Sequence, residues 1–564
     1  MNSLEPKLIT VLREGYSRAQ FGRDLSAGLL VGVVALPLAI AFAIASGVKP
    51  EQGLITAVVA GFLISALSGS RVQIGGPTGA FIILVYSVVQ EFGYDGLAVA
   101  TIMAGVFLVA MGVARLGGLI RYVPYPVTVG FTAGIAVVIA SGQIRDALGL
   151  TMASVPAEFI PKWEAYAGAI GTINLWALGL TVGTVVVVIG LPRLVPRLPA
   201  SLVALVAATA AVALFDLPVE TIGSRFGAVP SGIPTPRLPG IDWGMVPDLI
   251  SPALSIAILA AIESLLSAVV ADGMTGRRHR SNAELVAQGV ANIASPLFGG
   301  IPATGAIART ATNVKAGGRT PIAGIVHALT LLLILLVAGG WAALVPMPVL
   351  AGILFVVAYN MSELHLFSRV LRASTRSDAL VLIATFGLTV FVDLTVALQV
   401  GVVLSAFLFM RRMAEVAGVR SLGEDEEDLP EDPIEAAAVL AAPQGVELFE
   451  VSGPFFFGAA HKFASSMASI EQKPRVLILR MRDVPTLDAT GLRALETLQD
   501  QAERGGPLLI LSGVQDQPLA LLQRSGLLER LGEQNVTDDL VSALERGGEA
   551  VKGTAGSAAP RGSV

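Results

Sequence analysis

Between Leu25 and Met410 the chain is an almost unbroken series of apolar runs separated by short polar joints. About fourteen such runs can be counted, most of them near the ~20 residues that cross roughly 30 Å of hydrocarbon. They begin near Ser26, Gly53, Pro77, Leu97, Pro126, Leu175, Leu198, Pro247, Ala283, Thr304, Ile322, Ala342, Ala379 and Leu394. In hydrocarbon every backbone polar group needs an internal partner, so these runs predict an α-helical polytopic membrane protein. A mean hydropathy of +0.72 and 14% charged residues exclude an ordinary soluble domain for most of the length. The abundant Gly and Pro sit inside the apolar runs, where membrane proteins use them to break helices.

Residues 1–24 are polar and amphipathic and carry no cleavage signal, so they are expected to form a cytoplasmic N-terminal segment ahead of a first span that stays in the mature chain. Over alternate joints, Lys and Arg favour one side by about four to one. The rich side includes Lys7, Arg13, Arg71, Arg121, Arg197, Arg277, Arg278, Arg280, Arg369, Arg411 and Arg412; the sparse side holds Lys49, Arg145, Lys162, Arg225 and Arg237. Basic joints stay in the cytoplasm, which predicts an even number of spans, both termini cytoplasmic, and residence in the bacterial inner (plasma) membrane.

The composition changes after Arg412. Residues 413–435, with Glu424, Asp425, Glu426, Glu427 and Asp428, read as an acidic linker that leads into a soluble α/β domain over 436–550. Its strands are expected at Val446–Val451, Val476–Leu479 and Leu508–Leu511, with amphipathic helices from Thr490 and Pro518. Residues 551–564 are rich in Gly, Ala and Ser and read as a disordered tail. The chain has no Cys and its four His form no close pair, so disulfides and thiolate catalysis are ruled out and a metal site is not indicated. No cofactor, nucleic-acid partner or enzymatic activity is expected.

One motif occurs twice. Gly75-Gly76-Pro77-Thr78-Gly79-Ala80 returns in variant form as Gly299-Gly300-Ile301-Pro302-Ala303-Thr304-Gly305-Ala306, in the third and tenth spans of this count. An odd separation means opposite orientation in the bilayer, the mark of an inverted-topology repeat. Each Gly pair permits extended backbone and each Pro suits a first helical turn, so each copy predicts a helix that starts inside the membrane. Two such starts facing one another focus free amide hydrogens and positive dipole ends on one point, which is a place for an anion. Taken alone, either cluster reads as well as a kink or a loop.

Intramembrane charge is the second clue. Glu263, with Ser264 and Ser267, lies in the middle of the eighth span, where a carboxylate marks a proton or ion path or else a bonded packing residue. Arg309 lies about one turn into the tenth span, where it either puts positive charge beneath an anion or snorkels to the cytoplasmic edge. Asp393 and Glu363 read as loop-edge charges and take no role.

These residues resemble the sulfate permease (SulP) anion transporter family, related to mammalian solute carrier family 26. The resemblance rests on Ala35 to Ala43, on Thr78 to Phe81, on Ala261 to Leu265, on Gly299 to Asn313, and on Asp488-Ala489-Thr490-Gly491-Leu492, which is similar to the signature of the STAS domain. It implies a seven-plus-seven inverted repeat within residues 25–412. Spans one to four and eight to eleven would form a core, and spans five to seven and twelve to fourteen a gate that mediates homodimer contacts. It also implies an anion site made of Phe42, Thr78, Gly79, Ala80, Gly305, Ala306, Ile307, Ala308 and Arg309, with Glu263 at the position of cation coupling. Some relatives use Asp there with a hydroxyl residue in span ten as part of a sodium site. Here Ile307 offers no oxygen, so protons are the expected partner. Soluble relatives of the STAS domain phosphorylate a Ser after the motif Asp; here that residue is Ala489, which leaves tuning of traffic or a cytoplasmic protein partner as the domain's role.

The expected function is secondary active transport of a small inorganic or organic anion (dicarboxylate, bicarbonate or sulfate) by proton symport in contact with membrane lipid. An exchanger, uniporter, channel or sodium-coupled carrier, a nucleobase carrier, and a membrane-tethered STAS sensor are the alternatives.

Overall fold

The computed structural model describes the chain apart from residues 1–3, 119–122, 153–154, 157, 196–197, 228–231, 233–234, 241–242, 393, 417, 423–428, 431, 457–462, 464–473 and 557–564. Arg121, Arg197, Asp393 and the acidic run from Glu424 to Asp428 therefore lie outside the described residues. The chain divides into two units, Met1–Ser405 and Ala406–Val564.

The first unit is helical. In order it contains α1 (Lys7–Glu14), α2 (Arg18–Ala45), α3 (Pro50–Leu67), the short strand β1 (Gly75–Gly76), α4 (Ile82–Val113), α5 (Tyr125–Gly142), α6 (Ile144–Leu148), α7 (Phe159–Ala169), α8 (Leu175–Leu194), α9 (Ala200–Phe215) and α10 (Ile222–Phe226). It continues with α11 (Val246–Thr275), α12 (Ser281–Leu297), β2 (Thr304–Gly305), α13 (Ile307–Lys315), α14 (Pro321–Ala338), α15 (Met347–Met361), α16 (Leu364–Ala373), α17 (Arg376–Phe391) and α18 (Leu394–Val416), the last running into the second unit. Among the described residues, 9 helical stretches are long and apolar enough to cross a membrane, and α9, α12, α13 and α17 are shorter. Each expected span start lies in or just ahead of a helix. The break expected between the third and fourth spans falls inside α4, at Gly93, whose φ of 69° no helix can continue through.

Packing sorts these helices into two groups. α2, α3, α4, α11, α12, α13 and α14 pack mainly on one another, and α5, α6, α8, α9, α15 and α17 do likewise. Lipid tails supply no hydrophobic drive between helices, so close backbone approach has to hold the first group. At the α4–α12 crossing a Cβ on Gly105 would stand 2.6 Å from Gly289 O, and one on Gly289 would stand 2.6 Å from Gly105 O. Those two glycines let the helices touch backbone to backbone.

The second unit is an α/β domain around one sheet in the order β3-β4-β5-β6-β7, with β3 (Gly418–Ser421) antiparallel to β4 (Val446–Ser452) and the other pairs parallel. The remaining strands are β5 (Val476–Asp483), β6 (Leu508–Ser512) and β7 (Val536–Thr537); the helices are α19 (Pro433–Leu440), α20 (Ala489–Glu503), α21 (Asp516–Ser525), α22 (Leu527–Leu531) and α23 (Leu540–Gly556). Alternate residues of β5 feed two faces, with Leu477, Leu479 and Met481 packing beside Leu495 and Val476 and Ile478 beside Leu544. Asp488 caps α20, its Oδ1 accepting from Thr490 N at 3.0 Å and Gly491 N at 2.8 Å.

Two boundaries differ from expectation. Residues 418–421, assigned to a linker, form an edge strand because Leu422 beside them is buried and its N–H donates to Leu448 O. Residues 551–556, assigned to a disordered tail, extend α23, which stays ordered because Ala550 and Val551 pack against the sheet.

Candidate anion site

The two copies of the repeated motif meet. β1 and β2 pair antiparallel, Gly75 opposite Gly305 and Gly76 opposite Thr304, and a helix starts just beyond each strand. On the first copy this is a 3-10 turn at Gly79–Phe81 that runs into α4; on the second it is α13, from Ile307. Neither start is capped by a side chain: Thr78 and Ala306 occupy the cap positions, and the buried Thr78 Oγ1 has no partner. First-turn amide hydrogens left without a cap are donors waiting for an acceptor.

Small residues are required at the junction. A Cβ on Gly305 would fall 1.6 Å from Gln73 Nε2. One on Gly79 would fall 2.9 Å from Met361 Sδ, 3.3 Å from Ile139 Cδ1 and 3.5 Å from Phe42 Cε1. Phe42 of α2, Ile139 of α5 and Met361 of α15 thus close over the first helix start, so both packing groups contribute to the same wall.

Arg309 does not snorkel. Its side chain is 3% exposed, its Nη2 donates to Pro77 O of the other copy, and its Nη1 is buried without a partner. One donor of the guanidinium therefore anchors it under the first copy while another remains unspent. Ile307 and Ala308, the two residues before it, are exposed.

Glu263 is 8% exposed on α11, and no hydrogen bond or ion pair holds its carboxylate among the described residues. Its neighbours tie α11 to both copies. Ser264 O accepts from Gln73 Nε2 at 3.1 Å, and Ser267 Oγ donates to Thr310 Oγ1 at 3.1 Å, which also accepts from Ile74 N at 3.0 Å. Thr304 Oγ1 donates to Ala260 O at 2.9 Å. The reading of Glu263 as a bonded packing residue therefore has no bond to rest on, while the serines beside it do that work.

Sequence reasoning missed several residues that build the junction. Asn292 of α12 acts as a surrogate strand, its Nδ2 donating to Ala303 O at 2.8 Å and its Oδ1 accepting from Ala303 N at 2.9 Å. Asn313 Nδ2 donates to Val72 O at 2.8 Å, and Thr56 Oγ1 accepts from Ile301 N at 2.7 Å. Glu284 is fully buried, bonded to Ser68 Oγ and to Gln288 Nε2. Polar residues inside apolar runs were the available signal. Among the described residues no group of three or more His, Asp or Glu is arranged to hold a metal ion.

Comparison with known proteins agrees with this architecture. The Sulfate permease family model matches residues 21–385, and the STAS domain model matches residues 437–543. The chain is 42% identical over 529 residues to the "Putative sulfate transporter YvdB" of Bacillus subtilis, covering 93% of this chain and 97% of that protein. It is 33% identical over 534 residues to the "Bicarbonate transporter BicA" of Synechocystis, covering 93% of each. Its fold matches that of the murine Solute Carrier 26 family member A9 anion transporter in the inward-facing state with a TM-score of 0.85, at 19% identity over 96% of this chain and 94% of that one. The chain therefore belongs to the sulfate permease family: it is an anion transporter with a C-terminal STAS domain, not an enzyme.

Proposed function

We propose that this protein is a proton-coupled symporter of a small anion that works by alternating access. The observation that carries the reading is the β1–β2 pairing, which turns two uncapped helix starts toward one point above the buried Arg309 with its unspent Nη1. Thr78, Gly79 and Ala80 from one copy and Gly305, Ala306, Ile307, Ala308 and Arg309 from the other bind the anion, with Phe42 as the apolar wall. Glu263, unpaired and buried on the helix tied to both copies, carries the proton. Ile307 presents no oxygen to a sodium ion.

Fourteen spans follow when α4 is counted as two helices about Gly93 and the shorter helices are included. The first packing group is the moving core and the second, with α18, is the gate, through which copies pair as a homodimer; the packing preferences support this division. The Lys and Arg bias supports cytoplasmic termini in a bacterial inner membrane. The STAS unit tunes traffic or engages a cytoplasmic protein. Relatives bear the names of sulfate and bicarbonate transporters. One guanidinium matches one negative charge best, so bicarbonate and singly protonated dicarboxylates rank ahead of sulfate.

The test uses full-length protein in liposomes that enclose a pH-sensitive dye, offered bicarbonate, fumarate, succinate, sulfate, nitrate and uracil in turn, with protein-free liposomes for passive leak. Protein-dependent acidification with one anion identifies substrate and coupling together. Labelled-anion flux without acidification would replace symport by uniport, exchange or sodium coupling.

A further inference from the structure

The N-terminal helix α1 has no part in the proposed transport path, yet it is firmly docked. Lys7 N donates to Ser68 O at 2.9 Å, Val11 is 3% exposed, and Arg280 Nη1 donates to Glu5 O at 2.7 Å and Thr10 Oγ1 at 3.0 Å. Its outward face is apolar: Ile9 is 39% and Leu12 56% exposed, with Leu4 just ahead and Phe21 and Leu25 exposed on α2. A short helix that carries large exposed aliphatic residues beside cations is the pattern of a segment lying in the bilayer interface.

Five cations, Lys7, Arg13, Arg71, Arg277 and Arg280, share this corner with three carboxylates, and the carboxylates are occupied. Glu5 pairs with Arg13 and Arg280, Glu14 with Arg71, and Asp272 with His279. The Lys7 ammonium has no partner among the described residues, and burial, followed by the nearby Arg280 and Arg71 charges, lowers its pKa below the usual lysine range. Arg280 Nη2 is likewise buried without a partner. Beside Arg280 opens a cavity of about 790 Å³ lined by Leu4, Glu5, Ile9, Arg13, Glu14 and Arg280, among others, with Lys7 following the lining residue Pro6 in the chain.

We infer that this corner is a binding site for an anionic phospholipid, with the headgroup phosphate held by Arg280 and Arg13, the Lys7 charge adding attraction from beside the cavity, and an acyl chain laid along Leu4 and Ile9. Cations alone fit any anion; it is the exposed Leu4, Ile9 and Leu12 beside them that select a lipid. The site lies apart from the paired helix starts and is independent of which anion is carried.

The experiment titrates phosphatidylglycerol into phosphatidylcholine nanodiscs holding the full-length protein and follows the thermal unfolding midpoint. Phosphatidylglycerol raises the midpoint of the wild type. Lys7→Gln, which breaks no side-chain bond and so keeps the fold, weakens the apparent lipid affinity about fivefold. Ile9→Gln weakens it too without any change of charge. Wild-type and Lys7→Gln proteins with the same phosphatidylglycerol dependence would overturn the inference. So would an equal rise produced by inorganic phosphate in phosphatidylcholine alone, which would make the corner a site for free anions.

Discussion

The two copies of the Gly-rich motif begin alike and end differently. Both present a two-residue strand, an uncapped start and a helix, and the strands pair with each other. The first copy is sealed and uncharged: Ala80 and Phe81 are each 1% exposed, and Phe42, Ile139 and Met361 close over Gly79. The second is open and charged: Ile307 is 36% exposed, and Arg309 reaches back to Pro77 of the first. The helices behind them differ in the same sense. α11 carries Glu263 at mid-length, whereas the apolar part of α2, beyond Asp24, carries no ionisable residue. The two copies keep the same order of strand and helix, while Arg309 stands in the second alone. In the proposed mechanism that asymmetry makes the first copy the closed apolar side of the anion site and the second its charged side.

The asymmetry can be broken experimentally, most completely through Glu263. Glu263→Gln is expected to abolish protein-dependent acidification of dye-loaded liposomes while anion binding survives; undiminished proton movement would return Glu263 to the packing residues. The chain contains no Cys, so single cysteines report without background. Ile307→Cys should react readily with a membrane-impermeant maleimide and Ala80→Cys should stay unlabelled, and equal labelling would mean that the two copies are equally open. Arg309→Ala should raise the KM for the carried anion about tenfold to a hundredfold, the worth of one charge-assisted hydrogen bond, whereas an unchanged KM would make Arg309 a strut for Pro77. The smallest contrast lies in the strands. Gly75→Ala meets Ile64 Cβ at 2.8 Å and should cost about 1–3 kcal/mol in thermal unfolding, while Gly305→Ala meets Gln73 Nε2 at 1.6 Å, displaces its hydrogen bond to Ser264 O and should cost more. The reverse order would show Gln73 to be replaceable and the first strand to be the more tightly packed.

Much of this design was legible in the amino-acid order. Apolar run length located the helices, and the Gly-Pro repeat located the two helix starts. The helix expected from Thr490 begins at Ala489, with Asp488 as its cap. What escaped has a common cause. Asn292, Asn313, Thr56 and Gln73 act through partners far away in the chain, and a polar residue in an apolar run does not announce which carbonyl it will meet. The strand at Gly418–Ser421 escaped for a similar reason. Four residues carry too little alternation to read, and the strand exists because β4 offers it an edge.

The sequence by itself therefore determined that this chain spans a membrane many times, that a Gly-rich break occurs in it twice, and that an α/β unit follows. Those properties are local, set by hydropathy, periodicity and the allowed conformations of Gly and Pro. Only the tertiary structure decided that the two breaks pair strand to strand, that Arg309 turns inward to the opposite copy instead of outward to the interface, and that Glu263 is left without a bond while the serines beside it are spent. Each of those outcomes depends on which distant groups satisfy which buried donors, and in a medium without water that accounting closes only when the whole helical unit is assembled.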